Sequence, residues 1–348
     1  MGVRVMLGDL RKVDDVIKSL KTETKDYRDF HLKDPRSFKM GVTAKGEYTA
    51  EVEGKTLAVM PSAYGSLCKM FKMDGDYFHH YPRKEEFAEH VNTLLKTRKQ
   101  GVLIRSVGEK LRAVLPSDFT ILDDDNFFES FADRIKALPE FLGIQTVGDP
   151  SFGFSQYRMI FGQPASKGAL KDTRVMLQYQ NSEIGAYPLR ITGGTFTFHC
   201  SNGLVSLDDD FGHWSWKHTG GRDKAIEKIR AAIGACNENI PGLLIPIQNA
   251  EKAKLLKPMS DLLKEMVNAE VFPGKLARKM TNFAKERNER PETELDVMQV
   301  MTDVAQSFPN SRRTRYEGLA LEITRKGWQK TLSDAISRAP KTKPVTRN

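Results

Sequence analysis

The sequence predicts an α+β fold, a mostly antiparallel sheet core with flanking helices followed by a helical C-terminal section. Three observations carry the prediction. Strand-like alternation with turn signals runs through GVTAKGEYTAEVEGKTLAVMP, VLIRSVGEKLRAVLP and most of residues 143–207. Helical stripes of apolar residues separate those blocks. After Gly221 the alternation ceases and only helical spacing remains.

Residues 1–60 hold a helix near 9–21 and then a hairpin whose turns are AKGE and EGK. Ser62 reads as the N-cap of a helix in SAYGSLCKMF. Phe87, Val91, Leu94 and Leu95 space a helix over 84–97. Two strands flank the turn Val107–Gly108–Glu109–Lys110. Asp123–Asp124–Asp125 precede a helix striped with Phe127, Phe128, Phe131 and Ile135. In TRVMLQYQ, Val175, Leu177 and Tyr179 face one way, and Arg174, Met176, Gln178 and Gln180 the other. YPLRITGGTFTFHC continues that alternation. Ile226, Ile229, Ile233 and Cys236 mark the next helix, with others near 249–269, 274–287, 292–307 and 315–337. These readings divide the chain into an N-terminal helix and hairpin region (1–60), a core (61–236), a helical section (237–337) and a basic tail (338–348). The tail composition, RAPKTKPVTRN, predicts disorder.

At 39% hydrophobic and 28% charged residues the composition is globular. Apolar stretches such as GLLIPI fall far short of the ~20 residues of a membrane span, so no membrane partner is expected. MGVRVMLGDL carries no signal-peptide pattern, and Met6 breaks the myristoylation motif after Gly2. Cys68, Cys200 and Cys236 form no disulfide framework, which predicts a cytoplasmic protein. Net charge is +9, of which +7 falls between Arg312 and Asn348. The first 311 residues carry only +2. A basic C-terminal section suits a polyanionic partner, most often nucleic acid.

Residues 195–221, TFTFHCSNGLVSLDDDFGHWSWKHTGG, concentrate the candidate chemistry. Cys200, His213 and His218 match half of a zinc-finger spacing, but Thr195, Phe196 and Thr197 stand where a second cysteine is needed. No metal site is therefore expected there. Strand alternation turns Phe196, Phe198 and Cys200 toward a core and His199 outward, and Asn202–Gly203 signals a turn. Asp208–Asp209–Asp210 reads as solvated loop charge rather than a divalent-cation site. Trp214 and Trp216 lie two apart beside Lys217, His218 and Arg222. They form either a stacking platform for unpaired bases or an anchor for the loop.

FTFHCSNGLV followed by KHTGG resembles the phage/plasmid-like domain-of-unknown-function family 932. Upstream, VLIRSVGEKLRAVLPSDFTILDDDNFFESF is similar to that family's arginine-bearing hairpin and acidic-asparagine helix start. NSEIGAYPLRITGGTFTFHC is similar to its asparagine-serine, acid, glycine strand pair, so the likeness spans roughly residues 60–235. Ser201 is an insertion relative to the pattern. The resemblance implies a mobile-element origin and a DNA-related role in the host cytoplasm, and transfers no catalytic residues.

The expected function is non-enzymatic binding of single-stranded DNA in phage replication or recombination, with strand annealing by an oligomer as a variant. A polar sheet face carrying Arg105, Arg112, Arg174 and Arg190 would supply cations. His199, Trp214, Trp216, Lys217, His218 and Arg222 would extend that surface, and Arg325, Lys326 and Lys330 would add charge from the last helix, whose apolar stripe is Leu321, Trp328, Leu332 and Ile336. No phosphate loop, dinucleotide fingerprint or nucleophile elbow is present, so no cofactor is expected. A metal-dependent nuclease using His199, Asp208, Asp210, His213 and His218 is the enzymatic alternative. An adaptor that recruits phage or host replication or transcription proteins is the third. It would use Met259, Met266, Met280, Met298 and Met301, although a methionine stripe at helical spacing reads first as core.

Overall fold

A computed structural model describes residues 9–73, 83–147, 154–162, 173–197, 202–205, 214–238, 240–308 and 310–338. The α+β class holds, with two mostly antiparallel sheets and a C-terminal section of helices.

The first sheet runs in the order β1 (Tyr27–Leu32), β5 (Val102–Val107), β6 (Lys110–Pro116), β4 (Lys55–Val59), β3 (Tyr48–Val52), β2 (Lys39–Val42). Among the described residues, only β4 and β6 pair in parallel. The expected boundary at residue 60 falls inside this sheet, because N-terminal β1 and β4 pair with β5 and β6. Alternation turns Phe38, Met40, Ala50, Val52, Leu57, Ile104 and Val114 to one face, which helices α2 (Pro61–Met70) and α3 (Lys84–Thr97) cover. Helix α2 starts one residue before the expected cap. Pro61 takes the first helical position, where its missing N–H is no loss, and Ser62 Oγ instead donates to Arg112 O at 2.8 Å.

The second sheet runs β11 (Asn202–Val205), β10 (Leu189–Thr197), β9 (Thr173–Asn181), β8 (Ser155–Phe161), β7 (Gly143–Thr146), and β12 (Trp214–Trp216) pairs with β10 beside β11. Val175, Leu177 and Tyr179 share the predicted face. They pack against α1 (Val13–Thr24), α4 (Asp124–Lys136) and α5 (Arg222–Glu238) through Val16, Phe127, Phe131 and Ile229. The opposite face is overlaid by the C-terminal section, with α6 (Ile240–Lys252) against β9 and β10.

That section continues with α7 (Met259–Asn268), α8 (Gly274–Glu286), α9 (Glu294–Ala305), α10 (Asn310–Lys326) and α11 (Trp328–Arg338), packed around their own apolar cluster. Met259, Met266, Met280, Met298 and Met301 all lie in that cluster, as core. Two helices expected as continuous are broken. The 249–269 segment divides ahead of Pro258, the N-cap of α7, and the 315–337 segment divides at Gly327, whose φ of +86° only glycine adopts freely. Leu321, Trp328 and Leu332 are buried, but Ile336 remains exposed.

Candidate nucleic-acid interface

Two of the arginines expected on an open sheet face, Arg105 and Arg112, are inside the molecule. Arg105 is fully buried and every N–H direction of its guanidinium is engaged. Nε and Nη2 reach Asp29 at 2.9 and 3.3 Å, Nη1 and Nη2 grip both oxygens of Asp123 at 2.7 and 2.6 Å, and Nη1 also donates to Glu183 O at 2.8 Å. Arg112 is likewise buried. Its Nη2 donates to Glu183 Oε2 at 2.7 Å, and its Cζ lies 3.6 Å from the Tyr27 ring centre. Residues on β1, β5 and β6 thus meet residues of the α4 entry and the β9–β10 turn, and the ionic network joins the two sheets. The physical reason is charge: two buried guanidiniums demand carboxylates, and Asp29, Asp123 and Glu183 answer that demand before any phosphate could.

The same joint holds Asp124, whose Oδ1 accepts from Tyr179 OH and Asn181 Nδ2, both at 2.9 Å. Burial raises its pKa, and burial with the Asp123 and Asp124 charges pushes Glu183 up to about 8. Four motifs singled out in the sequence converge here: the arginine hairpin, the DDDN helix start, NSEIG and KHTGG. His218 of the last motif is 1% exposed and has a left-handed backbone, φ +59°. Its ring stacks on Phe119 at 4.7 Å and tilts against Trp216 at 4.7 Å, with Nδ1 3.2 Å from Thr120 O. Burial lowers its pKa to about 4, so it is neutral at physiological pH and contributes no cation to a phosphate. The expectation that it belongs to an exposed basic surface is corrected.

Trp214 and Trp216 pair opposite Ile191 and Leu189, which turns both indoles toward the α5 side of the sheet. They are half-buried against the core, and Trp216 Nε1 donates to Thr219 O at 2.7 Å. The anchor reading accounts for most of their surface. Lys217 and Arg222 stay exposed on either side of the turn, and Arg222 reaches Asn126 Oδ1 at 3.0 Å. Lys224 and Lys228 extend the charge along the outer face of α5.

On the second sheet's other face, register aligns Arg158, Gln178 and Thr192 in one row, and Gln156, Gln180 and Arg190 in the next. This is the predicted polar face, and it is covered. Arg158 is fully buried in a 2.7 Å ion pair with Glu317 of α10, itself fully buried. Gln178 Oε1 accepts from Gln156 Nε2 at 2.6 Å and from Arg158 Nε at 3.1 Å. Arg190 is half-buried with Nε unpartnered, and half-buried Arg174 donates to Thr173 O at 3.1 Å. In the last helices, Lys326 pairs with Glu322 at 2.9 Å, Lys330 is exposed and Arg325 is half-buried.

His199, Cys200, Asp208, Asp210 and His213 lie outside the described residues, as does the tail from residue 339. Among the described residues no three His, Cys, Asp or Glu side chains gather as a metal site, and no helix is long and apolar enough to cross a membrane. Sequence reasoning passed over one cationic feature. Helix α8 carries Lys275, Arg278 and Lys285 on its exposed side, and residues 271–285 contain no acid. That absence is legible in the sequence. No family model, curated protein or solved structure is significantly similar to this chain, so the likeness to family 932 rests on its quoted motifs alone.

Proposed function

We propose that the chain is a non-enzymatic nucleic-acid-binding protein that acts on single-stranded DNA in phage replication or recombination. The observation that carries this reading is the corner where β12 runs into α5. Lys217 follows the half-buried Trp214 and Trp216 on the chain, and Arg222, Lys224 and Lys228 are exposed on the helix that begins five residues later, interspersed with Asp223 and Glu227. Cations there neutralise phosphate, and the indole edges offer a limited stacking surface for unpaired bases. The buried arginines take no part. Their role is to fix the sheets that hold the corner in place.

Fluorescence anisotropy with an unstructured oligonucleotide tests the reading. Micromolar or tighter binding is expected, weakening linearly in log–log form as salt rises, and K217A/R222A is expected to weaken it several-fold. Absence of salt-sensitive binding by the full chain would overturn it.

A further inference from the structure

We propose that the outer face of α8, together with the first turns of α10, is a second phosphate-binding surface that grips the backbone of a nucleic acid. The inference rests on the nucleic-acid reading above but uses none of the corner residues.

Helix α8 buries Leu276, Ala277, Met280 and Ala284 against the helical core. At helical spacing its other side presents Lys275, Arg278, Asn282 and Lys285, all exposed, with a single acid, Glu286, at the last position of the helix. From Lys275 to Lys285 the stripe spans eleven residues, about 15 Å along the axis. None of its three cations has an ion-pair partner among the described residues. This separates them from Lys326, which Glu322 neutralises, and from Arg287, which approaches Glu289 and Asp303 at 3.6 and 3.5 Å.

Lys279 ties this stripe to the start of α10. Its Nζ donates to Ser307 Oγ at 3.1 Å and sits 4.3 Å from the Phe308 ring centre, and Phe308 in turn packs edge-on to Tyr316 at 4.9 Å. Arg312 and Arg315 flank that contact on the exposed side of α10, while Arg313 turns inward to Glu317 at 2.9 Å. Residues 307–316 also contain no Asp or Glu. Two acid-free segments, in a chain with 45 acids, are therefore brought together by one lysine–aromatic contact.

An uncompensated cationic surface stores like-charge repulsion, which a polyanion relieves. The choice among polyanions follows from what flanks the stripe. A helix that lies in a lipid interface sets large apolar side chains beside its cations. Here the positions between the cations are Asn282 and the half-buried Thr281, and the apolar residues of α8 are turned into the core. Hydrogen-bonding and cationic groups without an apolar margin suit phosphates of a nucleic acid, and α8, about 10–12 Å across with side chains, has the width of a duplex major groove.

The test compares K275Q/R278Q/K285Q and K275E/R278E/K285E with the wild-type chain. Each is titrated against a single strand and its matching duplex over a range of salt concentrations, and against anionic phospholipid vesicles. All three side chains are exposed, so unchanged melting is expected. Loss of three phosphate contacts lowers the salt slope by about 2 for a single strand and about 3 for a duplex. At least tenfold weaker binding to one of the two forms is expected, with the form that suffers more naming the preferred strand state. Unchanged affinity and slope in both variants would overturn the inference. If K217A/R222A still weakened binding in that case, the proposed function would stand without it. If the wild-type chain bound neither form, both would fall. Vesicle binding that α8 reversal abolishes while leaving oligonucleotide binding intact would also overturn the assignment to nucleic acid.

Discussion

Glu183 and His218 sit in the same joint and respond to pH with opposite sign. The Glu183 carboxyl is raised from 4.5 to about 8, chiefly by burial and then by Asp123 and Asp124. An acid whose folded pKa lies above its unfolded value stabilises fully below the unfolded value and loses that contribution as pH rises through the folded one. His218 is lowered from 6.5 to about 4 by burial, so its contribution is present above 6.5 and lost as pH falls toward 4. Between 4.5 and 6.5 the two oppose each other. From 6.5 to 8 Glu183 acts without that opposition, so stability declines with pH there. Urea unfolding of Glu183→Gln at about pH 6.5, 7.3 and 8 should show that decline flattened. A slope equal to wild type would remove Glu183 as its source. The sequence predicts Arg105 on an open polar sheet face and Arg174 beside Gln178, but period two reports only which residues share a face. The covering elements come from far along the chain, at residues 183 and 317, and an arginine awaiting a carboxylate reads the same as one awaiting a phosphate.

Helix ends show what local sequence could and did not deliver. The stripes at 84–97 and 124–136 were legible because each helix packs one continuous apolar side on a sheet. The missed breaks carried signals of their own. Arg325–Lys326–Gly327 is a basic last turn followed by glycine, which is a helix stop, and Pro258 precedes a fresh helix start. At the first break, Gln329 N–H donates to Glu294 Oε1 at 3.1 Å, so a buried carboxylate satisfies an opening amide of α11. Gly327→Ala places a Cβ in the left-handed region 3.5 Å from Glu294 Oε2, and should cost about 1–2 kcal/mol. At α9, Thr293 and Asp296 form a reciprocal capping box, and Thr293→Ala should cost about 1 kcal/mol. Calorimetry reads both. A Gly327→Ala chain as stable as wild type would mean that the α10–α11 joint rearranges without strain.

At the scale of the whole molecule, three large apolar clusters each belong to one layer, and the layers are joined by ion pairs. The first two meet at Arg105, Arg112 and Glu183. The helical section meets the second sheet at Arg158, Glu317 and Arg313. Polar joints of this kind gain little net stability, because desolvation offsets much of the attraction, yet they punish mismatch severely. Burial depresses the Arg158 pKa, with Glu317 opposing that effect. Glu317→Ala leaves a buried guanidinium with only Gln178 and its remaining neighbours, and should cost about 3–5 kcal/mol. Because the helical section has its own core, that loss should appear as a separate, earlier unfolding transition rather than as collapse of the whole chain. The double variant Arg158→Met, Glu317→Leu removes both charges at similar volume, and should recover most of the loss. Equal damage in the single and double variants would show that the section is held by shape and apolar contact instead. Recovery would mean that the polar sheet face, which looked from sequence like a surface for DNA, is the socket for the chain's own C-terminal helical section.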